Sequence, residues 1–522
     1  MLLEQLHGFS PRAWPALTAG LVLALAAPAF ALGAPGPDRA TLSRLDTVVQ
    51  ARMRDSNVPG AAVAVVADGR LVHARGFGTA DDEGRRVTPQ TPFVLASAGK
   101  SFTALAVMQL VDAGKVRLDA PVRAYVPEFR LADPGAANRI TVRQVLQHTS
   151  GLPEGAGGPI LKSAKDGTAA QAIAELRATT PASRPGAAFH YSNGNFVLAG
   201  LVIERASGAS FAAYLRRHVF APLDMTRSFT SQAAARAAGL AQGHRYVFGV
   251  REGYGPTFRT ALQAAGYLAT TVEDMSHYLT MWLEGGVYDG HRLVSERGMR
   301  TLLTPARPTT MGPWSDHATA RYAMGWYVGG PWSERAVLHP GNSPDTTTMN
   351  VLLPKRGWGV VTLANAGNEL PVPGYPAAID RIARNAVDVL VGDRVESGTS
   401  LPAFYLRFDA VVLLLVAAAG AGLVRAVRRL RSGRGPCRRR LALTGVVVRA
   451  GVALVLLAVP GYGWAAAWTW VPDLLIAGVT FASLLVATAA LRLATILRTR
   501  PPKAPYLQAT GVSAESRVAV HG

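Results

Sequence analysis

Three apolar runs near the C-terminal end constrain this chain more than any other feature. Residues 404–424, 441–461 and 471–491 each come close to the length, about 20 residues, that a helix needs to cross the hydrocarbon of a bilayer. Between the first two lie Arg425, Arg428, Arg429, Arg431, Arg434, Arg438, Arg439 and Arg440, and after the third come Arg492, Arg498, Arg500 and Lys503. Positive charge beside an apolar span retains a loop on the cytoplasmic side. The basic loop 425–440 and the tail 492–522 are therefore expected inside, with Trp464, Trp468 and Trp470 at the outer interface. Three crossings leave everything before residue 404 outside, with the lipid bilayer as a partner. Arg449 falls within the second run, where a charge at mid-membrane costs about 2.5–3.5 kcal/mol on insertion scales, so that span is alternatively expected to begin near Ala450.

The other end of the chain agrees with this placement. An apolar stretch rich in Ala and Leu follows Arg12 and ends in Ala29-Phe30-Ala31, a small-x-small pattern that marks residues 1–31 as a signal peptide or, alternatively, an uncleaved anchor. The formal net charge of +20 raises the question of nucleic acid. Residues 401–522, however, hold 15 Arg or Lys against three acids, so most of the excess belongs to the membrane region and nucleic-acid binding is not expected. A single cysteine, Cys437, excludes a disulfide framework and a thiolate metal site; it is expected to be an inert thiol or, lying near a membrane, a palmitoylation site.

Between these ends, residues 40–390 read as one exported domain. Leu42, Leu45, Val48, Val49 and Met53 fall on one face of a helix over 41–54. Residues 60–67 and 71–78 read as strands joined at Asp68-Gly69, a type I′ hairpin signal. A helix is predicted over 98–113, stopping at Gly114, and the region 121–290 reads as mostly helical. Strand patterns return at 336–339, 346–353 and 358–363, followed by an amphipathic helix over 377–390. Early hairpin, helical middle, late strands and final helix predict an α+β fold in which the two chain ends share one antiparallel sheet flanked by helices, with a helical insert beside it. No internal repeat is visible, and 391–403 reads as a linker or stalk to the membrane.

Three short elements carry chemical potential. Ser97 and Lys100 stand three residues apart at a helix start, so one turn brings hydroxyl and amine to the same face. Taken alone, Ser97 serves equally as a helix cap. Tyr191-Ser192-Asn193 places a phenol and an amide before another helix, where a tyrosine near an ammonium can take a general-base role or simply pack. His339-Pro340-Gly341-Asn342 ends a late strand, where Gly341 permits close backbone approach to a ligand; His339 either donates to a substrate or ends the strand in a hydrogen bond.

Jointly, in order and spacing, these elements resemble the active-site motifs of the serine β-lactamase and penicillin-binding protein superfamily, in the branch of class C β-lactamases, D-amino-acid peptidases and esterases. The segments Ser97-Ala98-Gly99-Lys100-Ser101-Phe102-Thr103, Leu118-Asp119-Ala120-Pro121-Val122, His148-Thr149-Ser150-Gly151-Leu152-Pro153, Phe189-His190-Tyr191-Ser192-Asn193 and Tyr322-Ala323-Met324-Gly325-Trp326 carry the resemblance, which covers roughly 41–390 and not the apolar runs. It implies a β-lactamase/transpeptidase-like fold, Ser97 as acylated nucleophile, Lys100 as its proton partner and Tyr191 as the base. It further implies Asn193 as a contact for the substrate amide and Lys100, the N–H groups of Ser97 and Asn342 as an oxyanion hole, and no metal or cofactor.

The resemblance breaks where its penicillin-recognising members carry Lys-Thr-Gly. Here His339 and Pro340 stand in those places, and they supply neither a permanent cation nor a hydroxyl for a substrate carboxylate. Pro344-Asp345-Thr346 and Pro222-Leu223-Asp224-Met225 also carry Asp where the family commonly has Gly. The expected substrate is a small-molecule or peptide ester or amide, hydrolysed by an esterase, D-peptidase or weakly β-lactamase-like activity. The alternative is a slowly acylated binding or sensing protein with little turnover.

Overall fold

In the computed structural model, residues 35–153, 167–255, 258–307, 309, 320–367, 380–433, 439–458, 464–470 and 472–498 are described. The expected signal peptide, Cys437 and the tail beyond Arg498 lie outside the described residues.

The first helix, α1 (Arg39–Asp55), starts where the Asp38 carboxylate accepts the Thr41 amide at 2.7 Å, a side-chain cap on an otherwise unpaired donor. It leads into β1 (Gly60–Ala67) and β2 (Arg70–Gly78), turned at Asp68 and Gly69 with φ of 52° and 68°. Both turn residues are left-handed, as a type I′ turn requires. Next come α2 (Lys100–Asp112) and α3 (Asn193–Ser207), and then a hairpin of β3 (Gly243–Val247) and β4 (Val250–Tyr254). That hairpin corrects the mostly helical expectation for this region. It turns at Phe248 and Gly249, with φ of 49° and 73°, and Phe-Gly lacks the Asn or Asp that flags such a turn.

After α4 (Val272–Leu283) the chain returns as β5 (Arg321–Tyr322), β6 (Tyr327–Val328), β7 (Val337–Asn342), β8 (Thr347–Leu353) and β9 (Trp358–Ala364), closing with α5 (Asp380–Val391). The strands form one seven-stranded sheet in the order β2-β1-β9-β8-β7-β6-β5, with the β1–β9 pairing joining the two ends of the domain. Every pairing in it is antiparallel.

Each face of the sheet has its own apolar layer. Ala62, Ala64 and Val66 of β1 and Val361 and Leu363 of β9 meet Phe102, Phe196 and Tyr278 from α2, α3 and α4. Ala61, Val63, Val65, Val351 and Val360 meet Leu45 and Val49 of α1 and Ile382, Ala386 and Leu390 of α5. Alternation along β1 feeds both layers, so all eight of its residues are buried.

Strand β7 runs on through Asn342 rather than ending at His339. Its partner β6 pairs only with Val337 and Leu338, so from His339 onward one edge of β7 faces away from the sheet. A proline is tolerated at such an edge, and this edge faces the site described below.

Three long helices follow, α6 (Leu401–Ser432), α7 (Arg439–Ala458) and α8 (Pro472–Arg498), each long and apolar enough to cross a membrane, with a short helix, Trp464–Trp470, between the last two. The preceding segment departs from the expected stalk. Arg381 donates to the Thr399 carbonyl at 2.6 Å, Arg384 pairs with Glu396 at 3.3 Å, and Leu401, Phe404 and Tyr405 are buried in the α1–α5 layer. Apolar residues in the first turns of α6 thus make it part of the domain core.

Candidate active site

Ser97 sits in a tight turn, Ala96–Gly99, that feeds directly into α2. The turn is gripped from both sides by glycine. A Cβ at Gly341 would stand 2.0 Å from the Leu95 carbonyl and 3.0 Å from the Ala98 nitrogen, and one at Gly266 would stand 2.1 Å from the Ala96 carbonyl and 2.9 Å from the Ser97 nitrogen. Only bare backbone fits on either flank. Ala96 itself has φ of 47°, a left-handed conformation that a non-glycine residue adopts at a cost of about 1–2 kcal/mol. The surrounding packing holds that strained bend beside Ser97.

Lys100 is fully buried at the base of the turn. Its Nζ lies 3.1 Å from Ser97 Oγ, 2.8 Å from Asn193 Oδ1 and 2.7 Å from the Ala265 carbonyl oxygen. Burial holds the amine well below the ordinary lysine value. Nζ donates to Ser97 Oγ, Asn193 Oδ1 and the Ala265 carbonyl, and loss of its proton leaves a lone pair facing the Ser97 hydroxyl. Thr103 donates to the Ala264 carbonyl at 2.7 Å and so fixes the segment that presents Ala265. The Tyr191 ring lies with its centroid 4.9 Å from Lys100 Nζ, and Phe196 lies on another side at 5.5 Å. The structure therefore brings Ser97, Lys100, Tyr191 and Asn193 together.

His339 comes to the same region with both ring nitrogens hydrogen-bonded, the second of the two readings the sequence leaves open. Its Nδ1 lies 2.6 Å from the Pro340 carbonyl, which accepts a proton there, leaving Nε2 to accept the Tyr322 hydroxyl at 3.1 Å. Burial pushes its pKa down to about 3, so it is a neutral, fully engaged ring. Gly341 serves as the close-approach position, and Asn342 pairs with Thr347 at the end of β7.

Three positions had no role assigned from sequence. His148 has φ of 55° and is completely buried; its Nδ1 accepts from the Ser192 amide at 3.2 Å and from Asn195 Nδ2 at 3.1 Å, with its ring 4.3 Å from that of Tyr191. Burial holds its pKa well below the ordinary histidine value. Ser150 donates to Asn195 Oδ1 at 2.6 Å, so the His148–Ser150 segment braces the chain carrying Tyr191 and Asn193. Tyr322 anchors His339. All three lie inside motifs quoted above, but only the folded packing shows what they touch.

The sequence profile of the Beta-lactamase family matches residues 45–383. The chain belongs to that family. It is 25% identical over 443 residues to "Protein flp" of Staphylococcus aureus (strain COL), covering 82% of this chain and 85% of that one. It is 30% identical over 329 residues to "Penicillin-binding protein 4" of Amycolatopsis lactamdurans, covering 60% of this chain and 82% of the relative. Among solved structures it resembles the octameric penicillin-binding protein homologue from Pyrococcus abyssi, with a TM-score of 0.60 and 28% identity over 69% of this chain and 79% of that one. A D-stereospecific amidohydrolase from Streptomyces sp. shares the fold, with a TM-score of 0.51, 23% identity, and coverage of 63% and 95%.

Proposed function

We propose that this protein is a membrane-anchored, extracytoplasmic serine hydrolase that works through an acyl-enzyme on an ester or amide. The buried Lys100 amine, 3.1 Å from Ser97 Oγ and held by Asn193 and Ala265, carries the reading. Neutral Lys100 takes the Ser97 hydroxyl proton as Oγ attacks the substrate carbonyl. The N–H groups of Ser97 and Asn342 receive the developing oxyanion, each such donor being worth about 3 kcal/mol in comparable sites. Tyr191, packed over the amine, relays that proton from Lys100 to the departing alcohol or amine, and later passes the proton of the water that cleaves the acyl ester back to Lys100, which returns it to Ser97 Oγ. Asn193 orients Lys100 and the substrate amide.

The neutrality of His339 narrows the substrate. With both ring nitrogens engaged and Pro340 lacking a hydroxyl, this edge of β7 holds no cation to bind a free carboxylate. Esters and uncharged amides fit better than carboxylate-bearing β-lactams. The membrane placement rests on three apolar helices whose arginine-rich ends lie together, opposite the end that meets the hydrolase domain.

Labelling of the full chain by a fluorophosphonate probe, alongside turnover of short acyl esters, tests the reading. Both are expected to require Ser97 and to vanish in Ser97→Ala. Folded protein that neither labels nor turns over esters would remove the catalytic assignment. Labelling without turnover would favour the slowly acylated penicillin-binding or sensing protein.

A further inference from the structure

The three C-terminal helices carry a charge arrangement that the hydrolase reading does not use. Their only acidic residues are Asp409 and Asp473. Both lie at the end that meets the domain: Asp473 accepts the Phe248 amide at the tip of the β3–β4 hairpin, and Phe408, beside Asp409, stacks on the Phe248 ring. At the opposite end the charge of Arg492 in α8 feels that of Arg449 in α7, and then those of Arg429 and Arg425 in α6. No carboxylate of these helices is there to offset them.

Two of the four converge on one spot. A Cβ at Gly445 would stand 3.1 Å from Arg449 Nη1 and 3.7 Å from Arg492 Nη1, so both guanidinium groups close over the bare face of this glycine. Arg449 Nη1 also donates to the Gly445 carbonyl at 2.6 Å, turned back toward the basic end of the helix. Arg492 lies twenty residues from the outer end of α8 at Pro472, about 30 Å at 1.5 Å per residue, so the pair sits at the inner boundary of the hydrocarbon, the level of lipid headgroups. Guanidinium groups drawn together there are costly without an anionic partner.

The flanking surface indicates what that partner is. Leu441, Val448 and Val452 recur with Gly445 at helical spacing along one face of α7, and all three are exposed. This apolar track leading to paired guanidinium groups matches an acyl chain attached to a phosphate, since Arg binds phosphate oxygens with two parallel donors. We propose that Arg449 and Arg492, over Gly445 and rimmed by Arg425 and Arg429, bind the phosphate of an anionic phospholipid in the inner leaflet. The proposal rests on the membrane-spanning reading above. It adds a specific lipid to what would otherwise be a simple anchor.

The test is native mass spectrometry of the detergent-solubilised full chain exposed to equal phosphatidylglycerol and phosphatidylcholine. The wild type is expected to retain phosphatidylglycerol at least tenfold better. The Arg449→Gln/Arg492→Gln double variant, and Gly445→Leu, which fills the site and keeps both charges, are expected to lose that preference. Arg428→Gln/Arg431→Gln, which alters the basic end and leaves this cluster intact, is expected to keep it. Undiminished preference in the double variant, or equal loss in the control, overturns the site. Competition by free glycerol phosphate as effective as the lipid overturns its assignment to a lipid. Release of the chain from membranes by alkaline carbonate would refute the spanning reading itself, whereas a chain that stays integral without preferring phosphatidylglycerol refutes only this site.

Discussion

At the scale of single residues, the account turns on Lys100 being neutral. Its spacing from Ser97 is legible in the sequence because three residues make nearly one helical turn. Its burial is not, since Asn193, Ala265 and Phe196 reach it only through the fold. Desolvation lowers the pKa of an amine, so Lys100 sheds its proton at lower pH than a free lysine and is inactivated by protonation as pH falls. The value of kcat/KM for an uncharged ester is expected to rise with pH through the Lys100 pKa and then level. Lys100→Met is expected to lower kcat/KM by about 10²–10⁴ and remove that rise. A pH profile surviving in the variant would move the base elsewhere. His339 shows the converse: its place in the motif is readable, but the sequence leaves open whether it meets a substrate or ends the strand in a hydrogen bond, because its partner Tyr322 lies 17 residues away.

At the scale of elements, five of the seven strands, α1, α2, α5 and the β1–β2 turn follow from alternation, helical periodicity and Asp-Gly chemistry, whereas β5 and β6, two residues each, are too short to show a pattern. The β3–β4 hairpin escapes because Phe248-Gly249 carries a weak turn signal. The two aspartates that replace family glycines also become intelligible. Asp224 adopts φ of 51°, the conformation that favours glycine, while Asp345 is buried in the turn between β7 and β8. There it accepts from Ser343 Oγ at 2.7 Å, and burial raises its pKa to about 7. The folded state thus holds a proton that the unfolded chain releases above about 3.8, so this stabilisation is full below 3.8 and is lost as pH rises through 7. Asp345→Asn keeps the site uncharged. Its melting temperature relative to wild type is expected to be higher at pH 8 than at pH 5; a gap that does not change with pH would contradict the buried-carboxyl account.

At the scale of the whole molecule, the β-lactamase-family domain and the C-terminal helices are joined by non-covalent contacts as well as by the chain itself. The first turns of α6 complete the α1–α5 layer, Arg245 of β3 donates to the Trp468 carbonyl at 3.0 Å, and the Phe248 amide meets Asp473. Composition alone marks residues 391–403 as a stalk, because Gly, Ser, Thr and Pro do not disclose that Arg381 and Arg384 pin them to α5. The hairpin that holds Trp468 also reaches the turn after β7: the His244 amide donates to the Asp345 carbonyl at 3.2 Å. The region proposed to lie at the membrane and the strand carrying Asn342 are therefore parts of one packed unit. The claim on which this account rests is that Ser97 becomes transiently acylated. Rapid quenching of the full chain with a chromogenic acyl ester, followed by peptide mass mapping, measures it directly. The account predicts a burst of leaving group approaching one per chain and an acyl mass on the peptide containing Ser97, both absent in Ser97→Ala; turnover with no adduct on that peptide, or with the adduct elsewhere, would contradict it.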